Sequence, residues 1–352
     1  MNAYIIREYK PGDKEKIFEL INFVWGSYNA EVVKSVWDWL FLNNPFRPEG
    51  PPYILVVENN SDIVGLVCNI FVDLKIDNKV TKARWGCNFM THPQHRGEGL
   101  MLSKMQLDIP ILPWFGFSSQ KILPLETKLG GHRITSIYSQ ICILDMKAFL
   151  QNKYKNRFIA CLGGVSWNLV SKICFTRRVP NRSISITEIT YFDDRFNEFW
   201  EEISKDYPVI VVRNQKYLNW RFITTPFKYH IFTATKDRRI SGYIALRQTE
   251  RDGLNKGLIV DILARPYDKE TINALIAKAI VYFRINRCKI VECLFLADKS
   301  VYYGLLKRNG FLIKRLRDCF VRYSKDDVES APIKNPNNWF VTASDPDLEI
   351  WH

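Results

Sequence analysis

The chain has 352 residues, 47% of them hydrophobic and 14% aromatic, and this composition excludes a disordered protein while the length fits two domains of roughly 150 residues each. Charged residues interrupt the segment Met1 to Glu8, and no window reaches the roughly 18 apolar residues of a membrane helix, so the expectation is a cytoplasmic protein with no signal peptide and no membrane insertion. The formal net charge of +13 suits an anionic ligand such as CoA or a nucleotide-sugar; without a basic tail or a nucleic-acid motif, no specific nucleic-acid partner is expected, and general surface basicity is the plainer account.

In chain order, residues 3–9 alternate as a strand, and Lys10-Pro11-Gly12-Asp13 then breaks it. Asp13 is placed to cap a helix that carries Ile17, Phe18, Leu20, Ile21 and Val24 on one face. A second apolar helix is predicted over 30–42, before a Pro/Gly-rich loop at 45–52. Strands at 53–58 and 63–74 flank a polar link, Asn59 to Asp62, that reads as a hairpin turn. A third strand, 80–91, runs into Pro93-Gln94-His95-Arg96-Gly97-Glu98-Gly99-Leu100, and a helix to about 108 follows. A short strand at 114–117, a helix at 120–129 and a closing strand at 134–145 complete a first domain, 1–150.

Residues 151–182 read as a linker with an amphipathic helix. The order of elements then restarts over 183–325. A strand at 184–191 and a helix at 193–205 come first, with Tyr217 to Phe222 opening the sheet. Next are a hairpin of 229–235 with 240–248, a strand at 257–264, a helix at 268–284, a strand at 289–296, a helix at 299–308 and a strand at 311–323. Residues 326–352 form a C-terminal tail. The fold class expected is therefore mixed α/β, with two similar lobes, each a mostly antiparallel sheet flanked by helices.

The eight cysteines form no Cys-x-x-Cys pair and the five histidines no His-x-x-x-His spacing, so no metal is expected. Most of these thiols sit in apolar runs and read as small hydrophobes. The informative segment is Thr91 to Leu100, where a strand ends, the chain turns through glycines and a helix begins. Unpaired N–H groups and the helix dipole suit that junction to a pyrophosphate, although a plain tight turn has the same pattern.

Pro93-Gln94-His95-Arg96-Gly97-Glu98-Gly99-Leu100 resembles the acetyl-CoA motif of the GNAT N-acetyltransferases, Arg/Gln-x-x-Gly-x-Gly/Ala. Arg96 and Gly99 fill its first and fourth positions, and Met101 stands where the family has Gly or Ala. The resemblance covers about residues 3–145. It implies acetyl-CoA as cosubstrate, a splayed central strand pair, and cofactor contacts from Phe89, Met90, Thr91, Arg96, Gly97, Glu98, Gly99, Leu100 and Met101. Leu125 to Gly131 is similar to the family's Tyr-x-x-x-Gly-Phe pattern and puts Glu126 where many members carry an acidic tyrosine. In the second half Asn309-Gly310-Phe311 resembles the same pattern, but Arg265 to Thr271, the counterpart of the CoA motif, has no glycine. Asp268 and Glu270 there would repel a pyrophosphate, so the second lobe is expected to lack a cofactor site.

The resemblance implies an acceptor amine that must be deprotonated, with Glu58 and His92 as candidate bases and Glu126 as acid or base. Each also reads as an ordinary solvated or loop residue. Cys87 and Asn88 lie on the splayed strand and Trp37 and Trp85 near the acceptor side, so all four are candidate substrate contacts, with core packing the plainer account of the tryptophans. The function expected is acetyl transfer to a small amine, an amino sugar or nucleotide-linked amino sugar among the candidates, by a monomer or homodimer. A Fem-type aminoacyltransferase and a non-catalytic acetyl-CoA-binding scaffold are the alternatives.

Overall fold

The structure, a computed structural model, describes residues 4–95, 97–111, 113–118, 123–154, 183–251, 253–295, 301–322, 331–346 and 350. Strand β1 (Tyr4–Glu8) leads through a 3-10 turn, Pro11–Asp13, into α1 (Lys14–Trp25). Asp13 does not cap α1 with its side chain. Its carboxylate accepts from the Lys10 N–H at 2.7 Å and pairs with Arg7, which lowers its pKa below the usual carboxylate value. Gly26, at φ +85°, separates α1 from α2 (Ser27–Trp37), which runs on into a π turn, Asp38–Leu42. β2 (Leu55–Asn59) and β3 (Asp62–Ile76) form the expected hairpin, with Asn60 and Ser61 at φ +49° and +71° as a twist-matched two-residue turn requires.

β4 (Lys79–Thr91), α3 (Glu98–Asp108), β5 (Trp114–Ser118), α4 (Leu123–Lys128), β6 (His132–Ile143) and α5 (Met146–Tyr154) follow. The second half contributes β7 (Ile184–Ile189), α6 (Arg195–Ile203), β8 (Val209–Val211) and α7 (Gln215–Phe222). Then come β9 (His230–Lys236), β10 (Arg239–Arg251), β11 (Leu254–Ala264), α8 (Lys269–Ile285), β12 (Ile290–Phe295), α9 (Val301–Arg308) and β13 (Leu312–Arg322). The predicted linker helix, apart from the residues of α5, lies outside the described residues.

Residues 217–222, expected to open a sheet, are helical. Asn214 caps α7, its Oδ1 accepting from the Tyr217 N–H at 3.0 Å. Tyr217, Leu218, Trp220, Arg221 and Phe222 are all buried, which leaves only a narrow polar strip of Gln215, Lys216 and Asn219 to mark the helical period. Trp220 meets Trp39 at 5.5 Å and Phe46 at 5.6 Å, so α7 packs the two halves together.

Among the described residues fourteen strands form one hydrogen-bonded sheet. Its main path runs β1-β2-β3-β4-β5-β13-β6-β12-β11-β10-β9-β7. The expected closing strand of the first half, β6, does not lie beside β5. It pairs with β12 and β13, and β13 takes the place next to β5. Each half of the sheet is thus completed by the last strand of the other. The helices α1 and α2 cover one face of the first half; Leu102 of α3 packs on the other against Leu55, Val57, Val64 and Val67. Cys68, Cys87, Cys142, Cys288 and Cys293 are all buried, and burial pushes the Cys142 thiol up to about 12.

The C-terminal tail is structured where it is described. β14 (Trp339–Phe340) pairs with β8, which in turn pairs with β3. Beyond it the chain enters a buried polar network. Arg213 donates to Asp261 at 3.1 Å and to both oxygens of Asp345 at 2.8 Å; Tyr243 and Thr342 satisfy the remaining lone pairs of Asp261 at 2.7 and 2.9 Å. Arg221 holds the Ser344 carbonyl at 2.7 Å. Burial raises the Asp345 carboxyl to about 6, against the pull of Arg213, and the neighbouring Asp261 adds to that rise.

Arg213→Met leaves two carboxylates buried around a lost cation and is expected to cost about 3–5 kcal/mol. Asp345→Asn, which removes surplus negative charge, is expected to cost less at pH 7.5 in urea unfolding. Because the folded carboxyl titrates above its unfolded value of 3.8, its contribution is full at low pH and is lost as the pH rises through about 6. Arg213→Met milder than Asp345→Asn at pH 7.5 would contradict this account.

Candidate functional site

The site begins with a defect in the β3–β4 ladder. The register shifts between Leu66 and Cys68, and the extra residue on β4 falls at Asn88, whose φ is +52°. Asparagine tolerates that left-handed conformation better than most residues, and a bulge bends its strand. β4 pairs with β5 only at Arg84↔Trp114 and Trp85↔Phe115. β5 pairs with β13 on its other side from Trp114 to Ser118, and among the described residues β4 from Asn88 to Thr91 has a strand partner on its β3 side alone. The two parallel strands therefore part just where the bulge bends one of them. Asn88 Oδ1 and Trp85 Nε1, both buried at the parting, have no hydrogen-bond partner among the described residues.

β4 delivers the chain to α3 through His92, whose N–H bonds the Val64 carbonyl at 2.8 Å, and a 3-10 turn, Pro93–His95. Gly97 is the N-cap of α3 and supplies no side-chain cap. A Cβ on Gly97 would meet nothing within 4 Å, and one on Gly99 only Phe89 and Thr91 at 3.7 Å. Neither glycine is there to relieve crowding within the protein. The opposite end of α3 is fixed by Arg84, fully buried, which donates to the Gln106 carbonyl at 2.7 Å, the Ile111 carbonyl at 2.9 Å and Asn69 Oδ1 at 2.8 Å. A guanidinium at the C-terminal carbonyls complements the helix dipole and pins α3, while its first-turn N–H groups face outwards.

Met90 is buried and Phe89, Thr91, Glu98 and Gly99 are half-buried along this junction, while Gly97, Leu100 and Met101 are exposed. Met101, at 48% exposure, is not packed into the helix–sheet interface. Arg96 and the side chain of Glu126 lie outside the described residues. Cys87 is buried, its thiol directed at the Cys68 carbonyl at 3.7 Å. His92 is half-buried, stacked on Phe23 of α1 at 4.3 Å and edge-on to His95 at 5.5 Å; its Nδ1 accepts from the Gln94 N–H at 3.3 Å. Tyr4 bonds His95 Nδ1 at 2.9 Å, so four aromatic rings gather where β4 leaves the sheet.

Two expected site residues are placed elsewhere. Trp37 is fully buried among Tyr9, Phe18 and Phe41 and cannot meet a substrate without unpacking that core. Glu58 lies on β2, separated from β4 by β3, with its carboxylate on Arg7 at 2.7 Å. That ion pair also ties in Asp13 and is a structural link between β1, β2 and the start of α1. Arg84, Trp114 and Phe117 at the parting strands were not legible as site residues. Their only sequence signal is aromatic and glycine residues alternating in Trp114-Phe115-Gly116-Phe117 and Trp85-Gly86.

The second half contains the same parting, but filled. β11 pairs with β12 from Lys256 to Ile259 and then, among the described residues, runs on to Ala264 with β10 as its one strand partner. There Tyr302 donates its hydroxyl to, and accepts from, the Ala264 backbone at 2.7 and 2.9 Å, and Tyr207 reaches the same carbonyl at 2.6 Å. The following helix α8 is capped by its own Asp268, which accepts from the Thr271 N–H at 3.1 Å.

Residues 5–108 match the family model described as Acetyltransferase (GNAT) domain. No curated protein matches the chain. A GCN5-related N-acetyltransferase from Anabaena variabilis superposes with a TM-score of 0.61 at 11% identity, covering 91% of this chain and 72% of that one. N-myristoyltransferase from Saccharomyces cerevisiae with bound myristoyl-CoA gives 0.61 at 11% identity, with coverage of 92% and 83%. A probable N-acyltransferase from Enterococcus faecalis gives 0.59 at 10% identity, with coverage of 91% and 72%. These likenesses show a shared fold over most of the molecule. Residues 5–108 thus match a GNAT acetyltransferase domain, and the rest of the molecule shares the fold of the GCN5-related N-acetyltransferases.

Proposed function

We propose that the protein is an acetyl-CoA-dependent N-acetyltransferase acting on a small amine, with an amino sugar or nucleotide-linked amino sugar as the leading acceptor class. The observation that supports it most is the β4 edge from Asn88 to Thr91, which among the described residues has no ladder partner on its β5 side and leads into a helix without a side-chain cap. An extended pantetheine has amides to pair with such an edge, and a pyrophosphate suits the first turn of α3, where Gly97 and Gly99 leave the backbone open. When bound, the cofactor supplies an activated acyl thioester.

The protein's part is to orient and to move a proton. Buried core behind Cys87 and Met90 keeps the inner end of the slot dry, which strengthens hydrogen bonds from the β4 backbone. An amine attacks only as the free base, and His92, half-buried where β4 ends, is the proposed base. Only the first lobe is proposed to bind cofactor, because Tyr207, Tyr302 and Asp268 already occupy the corresponding backbone groups of the second. The proposed lobes are 1–150 and 183–325, joined through 151–182. A cytoplasmic setting fits an acyl-CoA donor, and among the described residues no helix is long and apolar enough to cross a membrane.

Calorimetric titration with CoA and acetyl-CoA is expected to give saturable one-to-one binding. Gly99→Trp, whose side chain would lie over Phe89 and Thr91, is expected to weaken it at least about tenfold, or about 1.4 kcal/mol, without lowering the melting temperature. Undiminished affinity in that variant would displace the cofactor from this junction. On a panel of amines led by nucleotide-linked amino sugars, His92→Gln is expected to lower turnover by about 10²-fold with cofactor affinity unchanged. Glu58→Gln is expected to leave turnover intact and to cost about 1 kcal/mol or less in stability; lost turnover in that variant would return Glu58 to the catalytic set.

A further inference from the structure

The point where β4 and β5 part is covered by an indole on each face of the sheet. On the face of the main core, Trp85 of β4 leans across the gap onto β5. Its ring lies parallel to Phe117 at 5.5 Å, with an interplanar angle of 6°, and contacts Phe115 at 4.8 Å. Trp85 and Phe115 are 1% and 0% exposed, and Phe115 is backed edge-on at 5.0 Å by Trp339 of the C-terminal segment. On the opposite face Trp114 of β5 reaches back over β4. A Cβ on Gly86 would lie 2.6 Å from Trp114 Nε1, so this glycine makes room for the ring. The guanidinium of Arg84 sits 5.0 Å from that ring and holds it from behind.

An acyl group carried into the slot between β4 and β5 ends at this point. A chain longer than acetyl has to leave the sheet plane on one face or the other, and on either face it meets an indole packed at van der Waals contact. Close-packed interiors do not yield a methylene's volume without cost. The GNAT fold by itself does not impose such a limit, since the yeast structure similar to this chain holds myristoyl-CoA.

We propose that Trp85 with Phe117 on one face, and Trp114 over Gly86 on the other, form a two-sided stop that restricts the transferred acyl group to acetyl or one of nearly that size. The inference rests on the acyl-CoA reading above and adds the residues that select the acyl chain. Phe117, half-buried and at the open edge of the stack, is the member whose removal least disturbs the core.

The test is calorimetric titration of the full chain with CoA and with acetyl-, butyryl-, hexanoyl- and octanoyl-CoA. CoA and acetyl-CoA are expected to bind alike, and affinity to fall by about tenfold or more at butyryl-CoA and again at hexanoyl-CoA, as extra methylenes in a closed pocket do. Phe117→Ala is expected to recover hexanoyl-CoA binding with CoA affinity unchanged, and Trp114→Val to do so independently through the other face. CoA affinity reports that each variant is folded. Wild-type protein that binds CoA and takes octanoyl-CoA as tightly as acetyl-CoA overturns the stop alone. So does an unchanged length limit in both variants with CoA affinity retained. Failure of CoA itself to bind overturns the cofactor reading, and this inference with it.

Discussion

Neither half of this chain closes its own sheet. β6 leaves the first half to lie between β12 and β13, and β13 leaves the second to lie between β5 and β6. Backbone hydrogen bonds along these ladders are obligatory once the strands are buried, so separating the halves would strip two strands of their partners at once. Everything at the site inherits this constraint. β5 keeps a full ladder with β13 where it parts from β4, and the aromatic stack at the parting is backed by Trp339 of the C-terminal segment. The buried Arg213–Asp261–Asp345 network fastens the C-terminal segment into the same junction.

The two halves then use one architecture in opposite ways. In the first, a bulge at Asn88 bends β4 away from β5, and α3 begins at a bare glycine with its other end anchored by Arg84. Among the described residues the β5-side edge of β4 from Asn88 to Thr91 has no ladder partner and α3 has no side-chain cap, a costly arrangement unless water or a ligand satisfies those backbone groups. In the second, tyrosine hydroxyls and an aspartate cap satisfy the equivalent groups from within. The proposed cofactor site therefore lies in the first half alone.

Much of the frame was legible because the relevant signals are local. The Asn60-Ser61 turn, the glycines at 97 and 99, and the missing glycine with acidic residues at 268 and 270 each carry their chemistry in a few adjacent positions. The helix over 215–222 was not legible, since a short helix buried over five of its eight residues shows little amphipathic period, and the strand-like reading of Tyr217 to Phe222 gave way to the Asn214 cap and the core packed around Trp39 and Phe46. Trp37 and Glu58 were misplaced for a related reason. Residue type says that a tryptophan can stack on a ligand or a glutamate can act as base, but which face of its helix or strand it occupies depends on neighbours such as Phe18 and Arg7 that lie elsewhere in the chain.

The sequence by itself determined most of the element order and the strand–glycine–helix junction at residues 91–100, because hydrophobic period, turn chemistry and helix-start residues act over short stretches of chain. Only the tertiary structure decided which strands complete which half, where β4 and β5 part, and that Trp85, Trp114 and Phe117 converge on that point. Those outcomes rest on pairings between segments as much as two hundred residues apart. Many strands in the chain offer equivalent hydrogen-bonding edges, and only the packing of the whole core selects among them.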